Sequence, residues 1–243
     1  MPIRRAVRQR LRPLWGSGGV TDFSSYGDTN HRLGSYLKAD GSFDYERYRS
    51  VQAAGNQAKL HHVFADERTC ATIRDEIVNE GVTVRRLLCH GSRNGTEVAW
   101  FRTLFGETGV EPEVIGTDIS DTATDFPDMV QWDYHEPREE WVGAFDLVYT
   151  NSHDHAYDPG RAFGTWVDQL APGGRLVIEH TMAHAPGAVN ELDPFGIDPA
   201  MFPYFILEVS GGRFAVRRMV RPDHLKRDKF AVWLFLIARN GEG

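Results

Sequence analysis

Cysteine is nearly absent: Cys70 and Cys89 are the only two in 243 residues. Two thiols are too few for a disulfide scaffold or a Cys-rich zinc module. There is also no apolar run of about 18 residues or more, so no membrane-spanning helix is expected. Residues 1–15 are basic, but they lack the apolar stretch of roughly 7–15 residues that marks a secretory signal. These absences together point to the cytoplasm. No internal repeat and no low-complexity tract interrupts the chain.

A surplus of positive charge is missing as well. The chain has 27 Lys and Arg against 34 Asp and Glu, a net of −7. Five arginines (Arg4, Arg5, Arg8, Arg10 and Arg12) sit in the first 12 positions, where there is no acid. Setting those five aside leaves 22 basic against 34 acidic side chains over the other 231 residues, a net of −12. A body that negative repels phosphate backbones and argues against nucleic acid as the main ligand. Among the arginines Ile3, Val7 and Leu11 recur every fourth position, the pattern of a short surface helix or of a frayed terminus.

What is present is a core. With 41% hydrophobic residues and 24 glycines, the chain is long enough to bury one large domain without staples. Residues 1–65 read as a lead segment. Residues 16–42 in it are Gly-, Ser-, Asp- and Asn-rich coil, with Phe23, Tyr26, Tyr36 and Phe43 as docking aromatics. The spacing of Tyr45, Tyr48, Val51 and Gln52 predicts a helix within 43–63, weakened at Gly55.

Residues 66–243 read as the main domain. Its first helix runs from the cap Asp66 to the stop at Gly81, with Cys70, Ile73 and Ile77 on one face. Strands are then expected at 84–89, 114–117, 129–132, 145–150 and 175–179, with helices at 96–105 and 158–170 and a turn at 171–174. Strands alternating with helices imply a parallel sheet with right-handed crossovers. Two later runs, 214–220 and 230–238, have no helix between them and read as an antiparallel pair. The fold class is therefore α/β, a Rossmann-like, mostly parallel seven-stranded sheet with a terminal antiparallel pair and helices on both faces.

In such sheets ligands bind beyond the carboxyl ends of the strands. The residues there are His90 through Gly95, then Asp118, then Asp133, Tyr134 and His135, then Asn151 through His155, then Glu179 and His180. Six of the ten histidines (His90, His135, His153, His155, His180 and His184) fall just past a predicted strand. The turn from Gly91 to Gly95 lets backbone approach a ligand and opens a helix whose positive end favours an anion. It lacks the third glycine of a dinucleotide fingerprint, and Thr96 and Glu97 replace the Lys-Ser/Thr of a P-loop. Asp118, 23 residues beyond Gly95, can accept two hydrogen bonds from a ribose diol or cap the stretch that follows.

This order of features, with Val114-Ile115-Gly116-Thr117-Asp118, Gln131-Trp132-Asp133, Phe145-Asp146-Leu147-Val148-Tyr149 and Leu170-Ala171-Pro172-Gly173-Gly174, resembles the class I S-adenosylmethionine-dependent methyltransferases over residues 84–240. The resemblance implies S-adenosyl-L-methionine as cofactor. Gly91 and Gly95 would shape its loop, Asp118 would hold the ribose hydroxyls and Asp133 would meet the adenine amino group, with Trp132 or Tyr134 beside the ring. Asn151 joins this set at the fourth strand end. Two positions depart from the pattern: Cys89 or His90 stands where the family has an acid, and Arg93 where it has a glycine. Arg93 could clamp the methionine carboxylate or block the loop.

Methyl transfer from a sulfonium is an in-line displacement for which protein mostly supplies alignment. A hydroxyl acceptor must also lose a proton, and His153 and His155, after the fourth strand, are the candidate bases. The expected partner is a small hydroxyl-bearing acceptor, such as a sugar or natural-product intermediate. The competing use of His153, Asp154, His155, Glu179, His180, His184 and Asp193 is metal ligation, in a metal-assisted hydrolase or isomerase. Their spacing matches no fixed motif, so no metal ligand is assigned. A non-catalytic relative serving as a partner subunit is the third reading. Residues 181–203, rich in Pro and Gly, are expected to form an irregular acceptor lid offering His184, Asn190, Glu191 and Asp193.

Overall fold

Runs of β-branched and aromatic residues broken by glycine turns become the strands of a seven-stranded sheet in the computed structural model, which describes residues 30–241. The arginine-rich start, Phe23 and Tyr26 lie outside the described residues. The sheet strands are β2 (Arg86–His90), β3 (Glu113–Asp118), β4 (Met129–Gln131), β5 (Phe145–Thr150), β6 (Leu170–Thr181), β8 (Phe214–Val220) and β9 (Val232–Arg239). Their order is β4-β3-β2-β5-β6-β9-β8. Pairing is parallel from β4 through β6 and antiparallel for β6 with β9 and β9 with β8. This is the fold class that the strand–helix alternation predicts. Outside it, β1 (His31–Leu33) pairs antiparallel with β7 (Phe195–Ile197).

Five helices accompany the strands among the described residues: α1 (Tyr45–Ala58), α2 (Glu67–Asn79), α3 (Thr96–Gly106), α4 (Pro159–Asp168) and α5 (Phe202–Ser210). Asp66 caps α2 by accepting from the Arg68 amide, and Gly81, at φ +77°, carries the chain out of it. Ile73 and Ile77 of α2 and Phe101 and Phe105 of α3 cover one face of the sheet, on Leu87, Cys89 and Tyr149. Phe163 and Trp166 of α4 and Ile206 of α5 cover the other, on Val148, Ile178 and Phe235. With both faces covered, the central strands are apolar on both sides, which is why they read as continuous runs rather than alternating ones. None of the described helices is long and apolar enough to cross a membrane.

Three local expectations change. Residues 171–174 are not a turn before the strand: β6 already pairs at Leu170 with Phe145, and pairing resumes at Arg175 with Leu147. The glycines form a bulge in that gap, Gly173 at φ +78° and Gly174 so close to Phe145 that an added Cβ would lie 2.9 Å from its carbonyl oxygen. Helix α5 was not expected because Pro203 counted as a breaker; it sits in the first turn, where a missing N–H costs nothing. Residues 181–203 are not irregular throughout, since they hold β7 and two 3-10 turns, Met182–His184 and Pro186–Ala188.

One acid is buried in the first turn of α3. Loss of water pushes the Glu97 carboxyl up to about 7 from an ordinary 4.5. The folded chain therefore holds this proton more tightly than the unfolded chain. The stabilisation is complete below the unfolded value and is lost as pH rises towards 7. Glu97→Gln is expected to exceed the parent in stability by roughly 3 kcal/mol at pH 8 and by about 1 kcal/mol or less at pH 5. Denaturant midpoints at the two pH values check this; a gap independent of pH would contradict it.

Candidate functional site

The strand order reverses between β2 and β5, so the loops after these strands part and leave a crevice at their carboxyl ends. A cleft of about 520 Å³ lies there. Its floor is made by strand-end residues Gly91, Asp118, Trp132, Asp133 and Ser152. Its roof is α1, through Tyr48, Gln52 and Asn56, with Leu192 of the 181–203 segment. The roof is tied down: Tyr48 donates to His155 O (3.1 Å), Gln52 Nε2 to Leu192 O (2.7 Å), and Arg47 pairs with Glu191 at 2.6 Å.

Gly91 is at φ +72°, and a Cβ there would lie 2.6 Å from Ser152 Cβ. Only glycine fits. Asp118 closes β3 with Oδ1 accepting from the Ser120 amide (2.9 Å) and Oδ2 from the Arg93 amide (3.1 Å). Burial pushes its pKa up, against those two hydrogen bonds. Each oxygen keeps a lone pair for a further donor. Asp133 accepts from the His135 amide (2.9 Å), His135 Nδ1 (2.7 Å) and Tyr45 Oη (3.0 Å). Burial acts to raise its pKa, but these bonds outweigh it and hold the group below its ordinary value. Trp132 donates Nε1 to Glu136 O (2.9 Å), which fixes its ring at the cleft.

Arg93 is in the left-handed region at φ +45°, a conformation that explains why glycine suits this place in a loop. Its Nη1 donates to His62 O (3.0 Å) and its guanidinium stacks 4.9 Å from the centre of the Phe64 ring. Gly95, at φ +70°, starts α3 and shapes the loop without lining the cleft. Cys89 and His90 are buried. Desolvation pulls His90 down to about 4, so it is a neutral ring between Thr117 Oγ1 (2.9 Å) and Gln169 Oε1 (2.8 Å).

A second cleft, about 1160 Å³, shares Arg93, Ser152 and His155 with the first. Asn151, Asp154, Thr181, His184 and Asp193 line it. Asn151 thus belongs to this cleft and not to the first. His155 stands between the two, its Nδ1 facing Gln52 Oε1 (2.8 Å) and Leu192 O (3.0 Å). His153 is elsewhere: fully buried, bonded through Nε2 to His180 Nδ1 (3.0 Å) and packed edge-on against Phe195 and Phe202. Both histidines are candidate bases in the sequence, but the 3-10 turn His153–His155 sends one into the core and the other to the clefts. The segment 181–203 divides likewise: His184 and Asp193 reach the second cleft, while Phe195 and Phe202 join the core.

Neither a family model nor a curated protein sequence matches the chain. Solved structures do. The 1,6-didemethyltoxoflavin-N1-methyltransferase of Burkholderia thailandensis, solved with 1,6-didemethyltoxoflavin and S-adenosylhomocysteine, aligns at TM-score 0.59 and 16% identity over 86% of this chain and 93% of that one. The N-methyltransferase NodS of Bradyrhizobium japonicum, solved with S-adenosylhomocysteine, aligns at 0.54 and 15% over 79% and 99%. The [4+2]-cyclase SpnF aligns at 0.55 and 12% over 87% and 99%. The chain has the class I methyltransferase fold, and the cyclase shows that this fold serves more than one reaction.

Proposed function

We propose that the first cleft binds S-adenosyl-L-methionine and that the chain methylates a hydroxyl of a small molecule held in the second. The observation that carries this is the convergence of Gly91, Asp118, Trp132 and Asp133 on one cleft at the β2/β5 reversal, beside a cleft with its own polar cluster. The residues fit the cofactor. Gly91 leaves its loop bare for close backbone approach, and Asp118 has lone pairs for a ribose diol. Trp132 would flank the adenine, and Asp133 would accept from its amino group. Asn56 Oδ1 and Arg93 Nε are both buried without a partner in residues that line this cleft; they suit the ammonium and the carboxylate of the methionine end. When bound, S-adenosyl-L-methionine supplies an activated methyl group.

Everything else falls to the chain. The roof of α1 excludes water, and Asp154, His155 and Asp193 engage the acceptor hydroxyl and ease the loss of its proton. The neighbours solved with S-adenosylhomocysteine support the same use of the cleft here. Asp118→Ala is expected to weaken S-adenosylhomocysteine binding about tenfold or more, because it leaves diol donors buried and unpaired at about 1–3 kcal/mol. Calorimetry on the folded variant measures it, and unchanged affinity would refute the assignment.

A further inference from the structure

Three hydrogen-bond acceptors converge on the wall between the clefts with no donor among them. His155 Nδ1 faces two oxygens, Gln52 Oε1 and Leu192 O, at 2.8 and 3.0 Å. The Gln52 amide is oriented by its own Nε2, which donates to Leu192 O. Nδ1 therefore carries the hydrogen of the neutral ring, in which Nε2 presents a lone pair. That lone pair meets Asp193 Oδ1 at 3.6 Å and Asp154 Oδ1 at 4.0 Å. Both separations are too long for a hydrogen bond.

One acid is held from behind, and the other has a donor nearby. Asp193 Oδ2 accepts from Asn190 Nδ2 at 2.9 Å, which leaves Oδ1 for His155. Asp154 Oδ2 lies 3.8 Å from His184 Nε2. That nitrogen carries the hydrogen, because His184 Nδ1 accepts from the Thr181 amide at 3.1 Å. Asp154 Oδ1 itself is buried with no hydrogen-bond partner, in a side chain only 10% exposed. An uncompensated buried carboxylate oxygen aimed at a lone pair and a second carboxylate is unfavourable until a proton or a metal cation joins them.

We propose that Asp154, His155 and Asp193 form a binding site for a divalent cation, its remaining positions open to the second cleft that all three line. The three atoms lie within 4.8 Å of one another. A cation bonded at about 2.0–2.6 Å holds its ligand atoms roughly 3–5 Å apart, so one ion spans them. The outer partners Gln52 and Leu192 orient His155, and Asn190 orients Asp193, as metal sites require. Two carboxylates and one imidazole suit Mn²⁺ or Mg²⁺ better than a soft ion. The neighbouring trio His153, His180 and His184 is a poorer set. Two of its rings already bond each other, and the third presents a hydrogen.

The chemical role, though not the site, rests on the methyl-transfer reading. An acceptor hydroxyl that coordinates the cation loses its proton more readily. The O–H bond breaks, the proton passes to water in the open cleft, and the electron pair stays on the oxygen that takes the methyl group. Metal-free full-length protein is titrated with Mn²⁺ alone, followed by electron paramagnetic resonance of the free ion. One Mn²⁺ per chain is expected at sub-millimolar affinity. Asp193→Asn, at a partly exposed position, and Asp154→Asn should each weaken binding at least tenfold, while Asp125→Asn on the surface should not. No saturable binding by the parent at millimolar Mn²⁺, or equal binding by both ligand variants, overturns the proposal. Mn²⁺ binding with this pattern in a protein that transfers no methyl group supports the site and removes only the methyl-transfer reading.

Discussion

Replacing His155 with alanine is expected to lower turnover of a hydroxyl acceptor by 10²-fold or more while S-adenosylhomocysteine affinity stays within about threefold. The expectation follows from where the ring stands. Its Nδ1 side belongs to the first cleft's roof, through Gln52 and Leu192, and its Nε2 side belongs to the second cleft, beside Asp154 and Asp193. Removing the ring leaves Asp118, Gly91 and Trp132 untouched but strips the acceptor group of its central member. Single-turnover kinetics with saturating cofactor separate the two effects. A variant with normal turnover, or one that loses cofactor affinity in proportion to rate, would contradict the role.

Gly91→Val is expected to reduce S-adenosylhomocysteine binding by 10²-fold or more. Two effects add. The left-handed φ of +72° is costly for a β-branched residue, and the new Cβ would stand 2.6 Å from Ser152 Cβ and 2.8 Å from its Oγ. Ser152 cannot simply step aside, because its amide is bonded to Thr150 Oγ1 (3.0 Å) and its hydroxyl to Gly91 O (3.2 Å). The cleft floor must shift or fill. A cooperative thermal transition shows whether the variant is folded, and calorimetry on that sample reads the affinity. Binding equal to the parent's would mean that this loop does not touch the cofactor.

The sheet was legible because its strands are short apolar runs ending in polar residues, and β5 is read to the residue. The boundary of β6 was not, since Pro172, Gly173 and Gly174 signal a turn locally and only the pairing with Phe145 and Leu147 shows a bulge. Helix α5 was hidden by Pro203, whose effect depends on its place in the first turn. Within the site, Asp118 and Asp133 followed from strand ends, and Trp132 from the family resemblance. The roof was missed. Tyr48, Gln52 and Asn56 recur every fourth position on one face of α1, a pattern readable as a buried polar stripe, yet nothing local says which cleft it covers. The meeting of His155 with Asp193 is a long-range contact across 37 intervening positions of chain, and no spacing rule reaches it.

The central claim is that the cleft under α1 takes S-adenosyl-L-methionine, and titration of the unmodified protein with S-adenosylhomocysteine by calorimetry tests it most directly. The account predicts saturable binding of one molecule per chain with micromolar affinity. The absence of binding at millimolar ligand by a folded sample would contradict it.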